Sequence, residues 1–94
     1  MLNQVVIVGR IKSFDSDTKT IYINVPRQYK NENGEYDSDL IPVQVSIDNI
    51  WENTNTYCKE SDIIGAKGRL QVSNNQILSF IAEKITFLST KKED

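Results

Sequence analysis

The sequence predicts an all-β domain with one short helix, built as a small closed barrel of five strands. Apolar residues alternate with a period of two along most of the chain, which is typical of half-buried strands. One helical stripe interrupts this pattern after the third predicted strand. Three strands, a helix and two strands is the order of the Greek-key OB-fold barrel. The strand order alone would also suit an SH3-like barrel or a small sandwich, and the position of the helix favours the OB-fold.

The first predicted strand covers residues 2–14 and is apolar on both faces. Val5, Ile7 and Ile11 share one face, and Val6 and Val8 share the other. A strand that is apolar on both faces is expected to be buried on both faces. Gly9 inside this strand predicts the bend or bulge that a small closed barrel needs.

The second and third strands are predicted at residues 19–26 and 40–47, joined by a polar hairpin. The hairpin tip covers residues 30–38, and Asn33-Gly34 is the strongest turn signal in the chain. Pro42 lacks a backbone N–H and indicates that the third strand is not paired along both of its sides. The residues predicted to point inward are Ile21, Ile23, Val25, Ile41, Val43, Val45 and Ile47.

The helix is predicted at residues 48–59, with Asp48 as its N-terminal cap. Its apolar stripe consists of Ile50, Thr54, Tyr57 and Cys58, and we interpret Trp51 as a core or interface residue. The last two strands follow at residues 62–73 and 76–88, with a tight turn at Asn74-Asn75.

The composition indicates one small domain and does not favour an enzyme. We expect a domain at residues 1–88 and a short solvated tail at 89–94. The chain has one cysteine and no apolar run of membrane-spanning length, which predicts a cytoplasmic protein without disulfides. It has no histidine, and Asp15 and Asp17 are better explained as turn residues than as metal ligands, so no cofactor or metal is expected.

The net charge of −2 is unevenly distributed along the chain. Residues 1–30 carry five basic and two acidic side chains (+3), residues 31–62 carry one and eight (−7), and residues 63–94 carry five and three (+2). A polyanion would be attracted to the first and last thirds and repelled by the middle third.

The opening, MLNQVVIVGRI, and the segment RQYKNENGEYDSDLI resemble bacterial single-stranded DNA-binding proteins. That family has an N-terminal strand of the form LNxVxLVGR, and a second strand that ends in an aromatic residue before an NxxGE hairpin. IIGAKGRLQ is similar to its fourth strand and KITFL to its last. The resemblance covers most of the chain and implies sequence-nonspecific binding of single-stranded DNA in replication, recombination and repair.

Proteins of this family stack bases on aromatic rings while basic side chains follow the phosphates. By this resemblance, Tyr29 is a stacking residue. Tyr22, which points outward on the second strand, is a further candidate, with packing or a subunit contact as the alternative. Tyr36 at the hairpin tip is another, although its acidic neighbours disfavour phosphate. The family's other stacking positions fall on Leu40, on Ser46 and in the Asn74-Asn75 turn, where this chain has no aromatic residue. The predicted phosphate contacts are Arg10, Lys12, Arg27, Lys30, Lys67 and Arg69.

The expected partners are single-stranded DNA and further copies of the chain. The outward Val6 and Val8 need cover, and we expect the first strand to be an edge that pairs with its copy in a homodimer or homotetramer. The family's acidic-apolar tail is missing from this sequence, so no recruitment of partners by a tail is expected. The acidic middle third and the loss of aromatic residues leave a second hypothesis open, an OB-fold adaptor that contacts another protein.

Overall fold

Five strands close into one barrel with the strand order β1-β2-β3-β5-β4. The computed structural model describes residues 1–89, so the predicted tail lies outside the described residues except for Ser89, the last residue of β5. A single helix lies between the third and fourth strands, as the sequence predicts for an OB-fold. The elements are β1 Val5–Asp15, β2 Thr20–Lys30, β3 Tyr36–Gln44, α1 Asp48–Tyr57, β4 Ile63–Val72 and β5 Leu78–Ser89.

Strand β1 changes partner at its middle. Residues 5–10 pair with β4, and residues 10–15 pair with β2. The change falls at Arg10, next to Gly9. A Cβ atom on Gly9 would lie 2.5 Å from the carbonyl oxygen of Asn24, so only glycine allows the two strands to approach this closely. The bulge of β1 lies further along the strand, between Ile11 and Ser13, and not at Gly9 as the sequence predicts. The predicted edge is confined to the first half of β1, because residues 5–9 pair with β4 alone, whereas the strand as a whole lies between β4 and β2 in the barrel.

The outer face of β1 is not buried within one copy of the chain. Val6 is 63% exposed and Val8 is 49% exposed, whereas Ile11 on the inner face is buried. The prediction that β1 is covered on both faces is thus wrong for a single chain. The alternation of apolar residues could not show this. It indicates which side chains are apolar on each face, but not whether the same chain or another molecule buries them.

Strands β2 and β3 form a long hairpin that extends beyond the barrel wall. Their pairing runs from Thr20 opposite Gln44 to Lys30 opposite Tyr36, with a bulge after Pro26. Asn31 closes the turn, because its Oδ1 atom accepts hydrogen bonds from the backbone N–H groups of Asn33 and Glu35 at 2.8 and 3.0 Å. The turn is therefore shorter than the predicted tip of residues 30–38.

Strand β3 closes the barrel through few residues. It pairs with β5 in parallel only at Val43 and Gln44, which agrees with the limited pairing predicted from Pro42. The strand ends at Gln44, so the predicted extension to Ile47 is wrong, and Ile47 is exposed instead of pointing inward. Val45 remains in the core although it lies outside the strand.

The core fills the barrel with branched aliphatic side chains, and α1 packs against β5. Trp51 of the helix enters the core and meets the ring of Phe14 edge-on, with 6.0 Å between the ring centroids, which confirms its predicted role. Cys58 is buried as predicted, and desolvation raises the pKa of its thiol to about 11, with a smaller contribution from Asp62. The fully buried larger side chains are Ile11, Ile21, Ile23, Val43, Val45, Thr54 and Ile64.

Two details of the predicted helix are wrong. Ile47 occupies the N-cap position and no side chain caps the helix, while Asp48 lies in the first turn and forms an ion pair with Lys19. Tyr57 is exposed where the helix ends, although Thr54 in the same turn and Cys58 directly after it are buried. Both errors come from tertiary contacts that helical spacing does not encode.

The β4–β5 hairpin and the N-terminal segment complete the sheet. The turn forms at Asn74-Asn75 as predicted. Asn3 pairs with Leu70 as a strand residue would, since its side-chain amide donates to the Leu70 carbonyl at 2.8 Å and its Oδ1 atom accepts from the Leu70 N–H at 3.0 Å. No helix among residues 1–89 is long and apolar enough to cross a membrane.

Candidate nucleic-acid interface

The β2–β3 hairpin collects four of the nine predicted site residues beyond the barrel wall. Pairing between β1 and β2 stops at Asn24, so the later residues of β2 have only β3 beside them. We call residues 25–39 the distal hairpin. It carries Arg27, Tyr29, Lys30 and Tyr36, all of them exposed. The structure therefore brings together the aromatic and basic residues that the sequence places on either side of the turn.

The two tyrosines of the distal hairpin differ in their surroundings. Tyr29 is 83% exposed, and its ring is open to solvent. Tyr36 pairs with Lys30 across the hairpin, and the Lys30 ammonium lies 5.8 Å from the centre of the Tyr36 ring, within cation–π range. A base could stack on Tyr29 without displacing any side chain, whereas at Tyr36 it would compete with Lys30 for one face of the ring.

Arg27 is held by a carboxylate of the opposite strand. Its Nε atom donates to Oδ2 of Asp39 at 3.1 Å, and its Nη2 atom donates to Oδ1 at 2.9 Å. This hydrogen bonding holds the pKa of Asp39 below its usual value and raises the pKa of Arg27, to which Asp37 also contributes by its charge. Both groups thus remain charged over the physiological pH range.

The outer surface of β1, β2 and β3 adjoins the distal hairpin and extends the candidate interface. Arg10, Asn24 and Leu40 lie opposite one another on β1, β2 and β3, and Tyr22 is half-buried two residues before Asn24. An open cleft of about 330 Å³ follows the line where β1 and β2 separate, and Arg10, Asn24 and Pro26 line it. Arg10 donates a hydrogen bond from Nη1 to the Ser61 carbonyl at 2.9 Å.

Two of the predicted phosphate contacts lie on another part of the barrel. Lys67 and Arg69 belong to β4, which β1 separates from β2. Lys67 lies opposite Val6 of β1 and Lys84 of β5, on the outer face of those three strands. The structure therefore does not bring Lys67 and Arg69 to the distal hairpin, although all these residues lie on strands that the sequence assigns to the binding surface.

Most of the predicted basic set already has a partner within the chain. Arg69 donates to Glu83 at 2.8 Å and to Gln71 at 2.9 Å, and Lys12 lies 4.0 Å from Glu60. Within residues 1–89, Lys30 and Lys67 are the members of the set that form no ion pair and no hydrogen bond through their side chains. The positive field of this surface is consequently weaker than the number of basic residues suggests.

The sequence analysis missed the acidic side chains that pair with these cations, above all Asp39. A signal for it was present, because Arg27 and Asp39 lie six residues before and after Asn33 of the predicted turn. Residues equidistant from the centre of a hairpin turn lie near each other across the two strands, although here the bulge after Pro26 places Asp39 opposite Val25 and Arg27 reaches it diagonally. Within the described residues, no group of three acidic or cysteine side chains could hold a metal ion.

The fold and the surface define a small OB-fold protein with an aromatic and basic hairpin beside its barrel. No family model matches the chain. It is 32% identical to single-stranded DNA-binding protein 1 of Clostridium acetobutylicum, over 98% of each chain. It is 26% identical to single-stranded DNA-binding protein B of Bacillus subtilis, over 100% of this chain and 96% of that one. The chain therefore belongs to the single-stranded DNA-binding protein family, as its resemblance predicts.

Solved structures of the same kind share the fold. The mitochondrial single-stranded DNA-binding protein Rim1 of Saccharomyces cerevisiae matches with a TM-score of 0.69 at 16% identity, over 99% of this chain and 100% of that one. The Plasmodium falciparum SSB, solved in complex with single-stranded DNA, matches with a TM-score of 0.68 at 16% identity, over 95% and 96% of the two chains. These matches confirm the OB-fold prediction.

Proposed function

We propose that this chain binds single-stranded DNA with little sequence preference and serves in replication, recombination or repair. Its relatives are named for this activity, and the observation that carries the proposal here is the distal hairpin with its open Tyr29 ring. Every base has a π-face, so stacking on a tyrosine tolerates any sequence. Arg27 and Lys30 flank Tyr29 and supply charge for the adjoining phosphates.

The proposed path of the strand runs from the distal hairpin over the outer surface of β2 and β3. Tyr22 offers a second, partly covered ring along this path, and Arg10 of β1 lies opposite Asn24, two residues further along β2. Leu40 supplies an exposed aliphatic surface at a position where the family has an aromatic residue. With one open ring and several paired cations, we expect weaker binding than a full set of aromatic platforms would give.

We also propose that copies of the chain associate through the outer face of β1. Val6 and Val8 form an exposed apolar surface there, and residues 5–9 pair only with β4, so one side of this segment is free. A free strand side next to an uncovered apolar face is a suitable site for pairing with a second copy. This proposal keeps the predicted homodimer or homotetramer.

The proposed activity is tested by titrating a fluorescent dT oligomer of roughly 35 nucleotides with the protein, with duplex DNA of equal length as the control. We expect binding to the single strand and not to the duplex. We also expect the logarithm of the affinity to fall with the logarithm of the salt concentration, by roughly 0.7 for each phosphate contact. Binding that does not respond to salt would contradict the proposed surface.

The second hypothesis, a protein–protein adaptor, is favoured by the acidic character of the same hairpin. Residues 27–39 carry the bases Arg27 and Lys30 against the acids Glu32, Glu35, Asp37 and Asp39, a net charge of −2. The titration distinguishes the two hypotheses. If the oligomer does not bind even at low salt, the adaptor hypothesis takes precedence and the hairpin becomes the first surface to test for protein partners.

A further inference from the structure

The guanidinium of Arg27, a predicted phosphate contact, already binds an anionic group in the free protein. Asp39 accepts two parallel hydrogen bonds from Nε and Nη2, at 3.1 and 2.9 Å. A phosphate binds arginine through the same kind of paired hydrogen bonds, because both anions present two oxygens at a similar spacing. Asp39 therefore stands where a phosphate oxygen pair would otherwise bind.

The surroundings of this ion pair add to the competition. Asp37 lies close enough to Arg27 for its charge to raise the pKa of the guanidinium, and Asn31 donates to Asp37 at 3.1 Å. A phosphate that approaches Arg27 thus meets two fixed carboxylates as well as one cation. These charges lie well within a Debye length of one another at physiological salt, so the phosphate experiences their sum.

We propose that Asp39 sets the affinity of this surface for single-stranded DNA by competing with a DNA phosphate for Arg27. The inference rests on the proposed function and assigns a role to a residue that contacts no base in the proposed path. In the free protein, the negative charge of Asp39 offsets the positive charge of Arg27. The DNA strand contacts Arg27 only when it separates the guanidinium from the Asp39 carboxylate. The DNA phosphate then lies beside the unpaired negative charge of Asp39.

A positioning role for Asp39 would have the opposite sign. The guanidinium has five N–H groups, and Asp39 uses two of them, so a carboxylate could in principle hold Arg27 while its remaining donors face a phosphate. Removal of Asp39 would then weaken binding. The charge of the hairpin favours competition, because four carboxylates against two cations weaken the attraction of a phosphate to this site.

The test compares Asp39→Asn with the wild-type protein in the dT titration at 50 and 200 mM salt. Asparagine keeps the shape of the side chain and removes its charge. We expect the variant to bind more tightly at both salt concentrations. Because one additional phosphate contact adds about 0.7 to the salt slope, the advantage of the variant should fall by about 2.6-fold between the two concentrations.

Asp48→Asn is the matched control for the change in net charge. Asp48 forms an exposed ion pair with Lys19 at the start of α1, outside the distal hairpin. This variant also gains one positive unit of net charge, and we expect its affinity and salt slope to remain close to those of the wild type. An equal gain in both variants would overturn the inference, since the effect would then belong to total charge.

A double-mutant cycle with Arg27→Ala isolates the proposed competition. Asp39→Asn should raise the affinity clearly less in the Arg27→Ala background than in the wild type, because only the repulsion by the carboxylate is then relieved and no guanidinium is released. The inference is overturned if Asp39→Asn weakens binding, or if it strengthens binding equally with and without Arg27. If neither the wild-type protein nor any variant binds the oligomer, the proposed function itself fails and the inference falls with it.

Discussion

At the scale of single residues, Tyr29 and Arg27 differ in how accessible they are to a ligand. The ring is open to solvent, so its surface is ready for contact. The guanidinium must first leave Asp39. Stacking on Tyr29 and phosphate contact at Arg27 should therefore respond differently to salt, since only the second involves ion pairs.

We expect Tyr29→Ala to weaken binding of the dT oligomer by about 1–3 kcal/mol, the cost of one lost stacking contact. The affinity is measured by fluorescence titration. Tyr57→Ala is the control, because Tyr57 is also a largely exposed tyrosine but lies at the end of α1. An unchanged affinity in Tyr29→Ala would remove this residue from the site, and an equal loss in both variants would point to a general effect on the fold.

Residues whose role follows from size and polarity could be predicted from the sequence. Trp51 and Cys58 enter the core because large or apolar side chains on a short amphipathic helix have few other places to pack. The role of Asp48 was not predictable, because its partner Lys19 is remote in sequence and is brought near only by the closed barrel. Electrostatic partners are properties of the tertiary structure, and the local sequence constrains them weakly.

At the scale of the strands, the two glycines of β4 differ in the space that a side chain would have. A Cβ atom on Gly68 would lie 1.9 Å from the carbonyl oxygen of Ile81, beside the bulge of the β4–β5 ladder. A Cβ atom on Gly65 would meet only Leu88 and Val8, at 3.5 and 3.7 Å, which are ordinary contact distances. The backbone of β5 can approach β4 at the bulge only because residue 68 has no side chain.

We expect Gly68→Ala to lower the free energy of unfolding by about 3 kcal/mol, because the new methyl group would force the two backbones apart. Gly65→Ala should change it by less than about 1 kcal/mol. Urea unfolding of the two variants and the wild type measures both values. Equal stability of the two variants would contradict the close approach of β5 to residue 68.

The strands were predicted well where alternation and turn signals agree. Asn33-Gly34 and Asn74-Asn75 both lie in turns, and a strand, a helix and a strand follow between them in the predicted order. The end of β3 was not predicted, because Val45 continues the inward alternation although the chain has already left the strand. Buried residues of a barrel are usually also paired in a strand, whereas Val45 is buried but lies outside β3.

At the scale of the whole molecule, an apolar surface on the barrel wall is left without cover by the described residues 1–89. Val6 and Val8 of β1 and Leu88 of β5 line it, together with Lys67 and Lys84. The two lysines lie directly opposite each other, and like charges in that arrangement repel. Association through this face should therefore depend on salt as well as on the apolar contact.

We expect light scattering to show a species larger than a monomer at micromolar concentration, and Val6→Asp to convert it to a monomer. Burial of this carboxylate together with Lys67, which lies opposite residue 6, would cost more in desolvation than the ion pair returns, and this would oppose the contact between copies. Val72→Asp is the matched control, because Val72 is 60% exposed, similar to Val6, but lies at the far end of the β4–β5 hairpin. A monomeric wild-type protein, or an equal effect of both variants, would contradict association through β1.

The barrel closes through two residue pairs between β3 and β5, whereas β4 and β5 pair through ten. Local opening is easiest where few backbone hydrogen bonds hold two segments together. Amide protons at this junction should exchange with solvent before those of either hairpin, while both hairpins stay intact. The β3–β5 junction is thus the place where the barrel should open locally. A strand of nucleic acid that spans both hairpins should slow the exchange of these amide protons before that of any others.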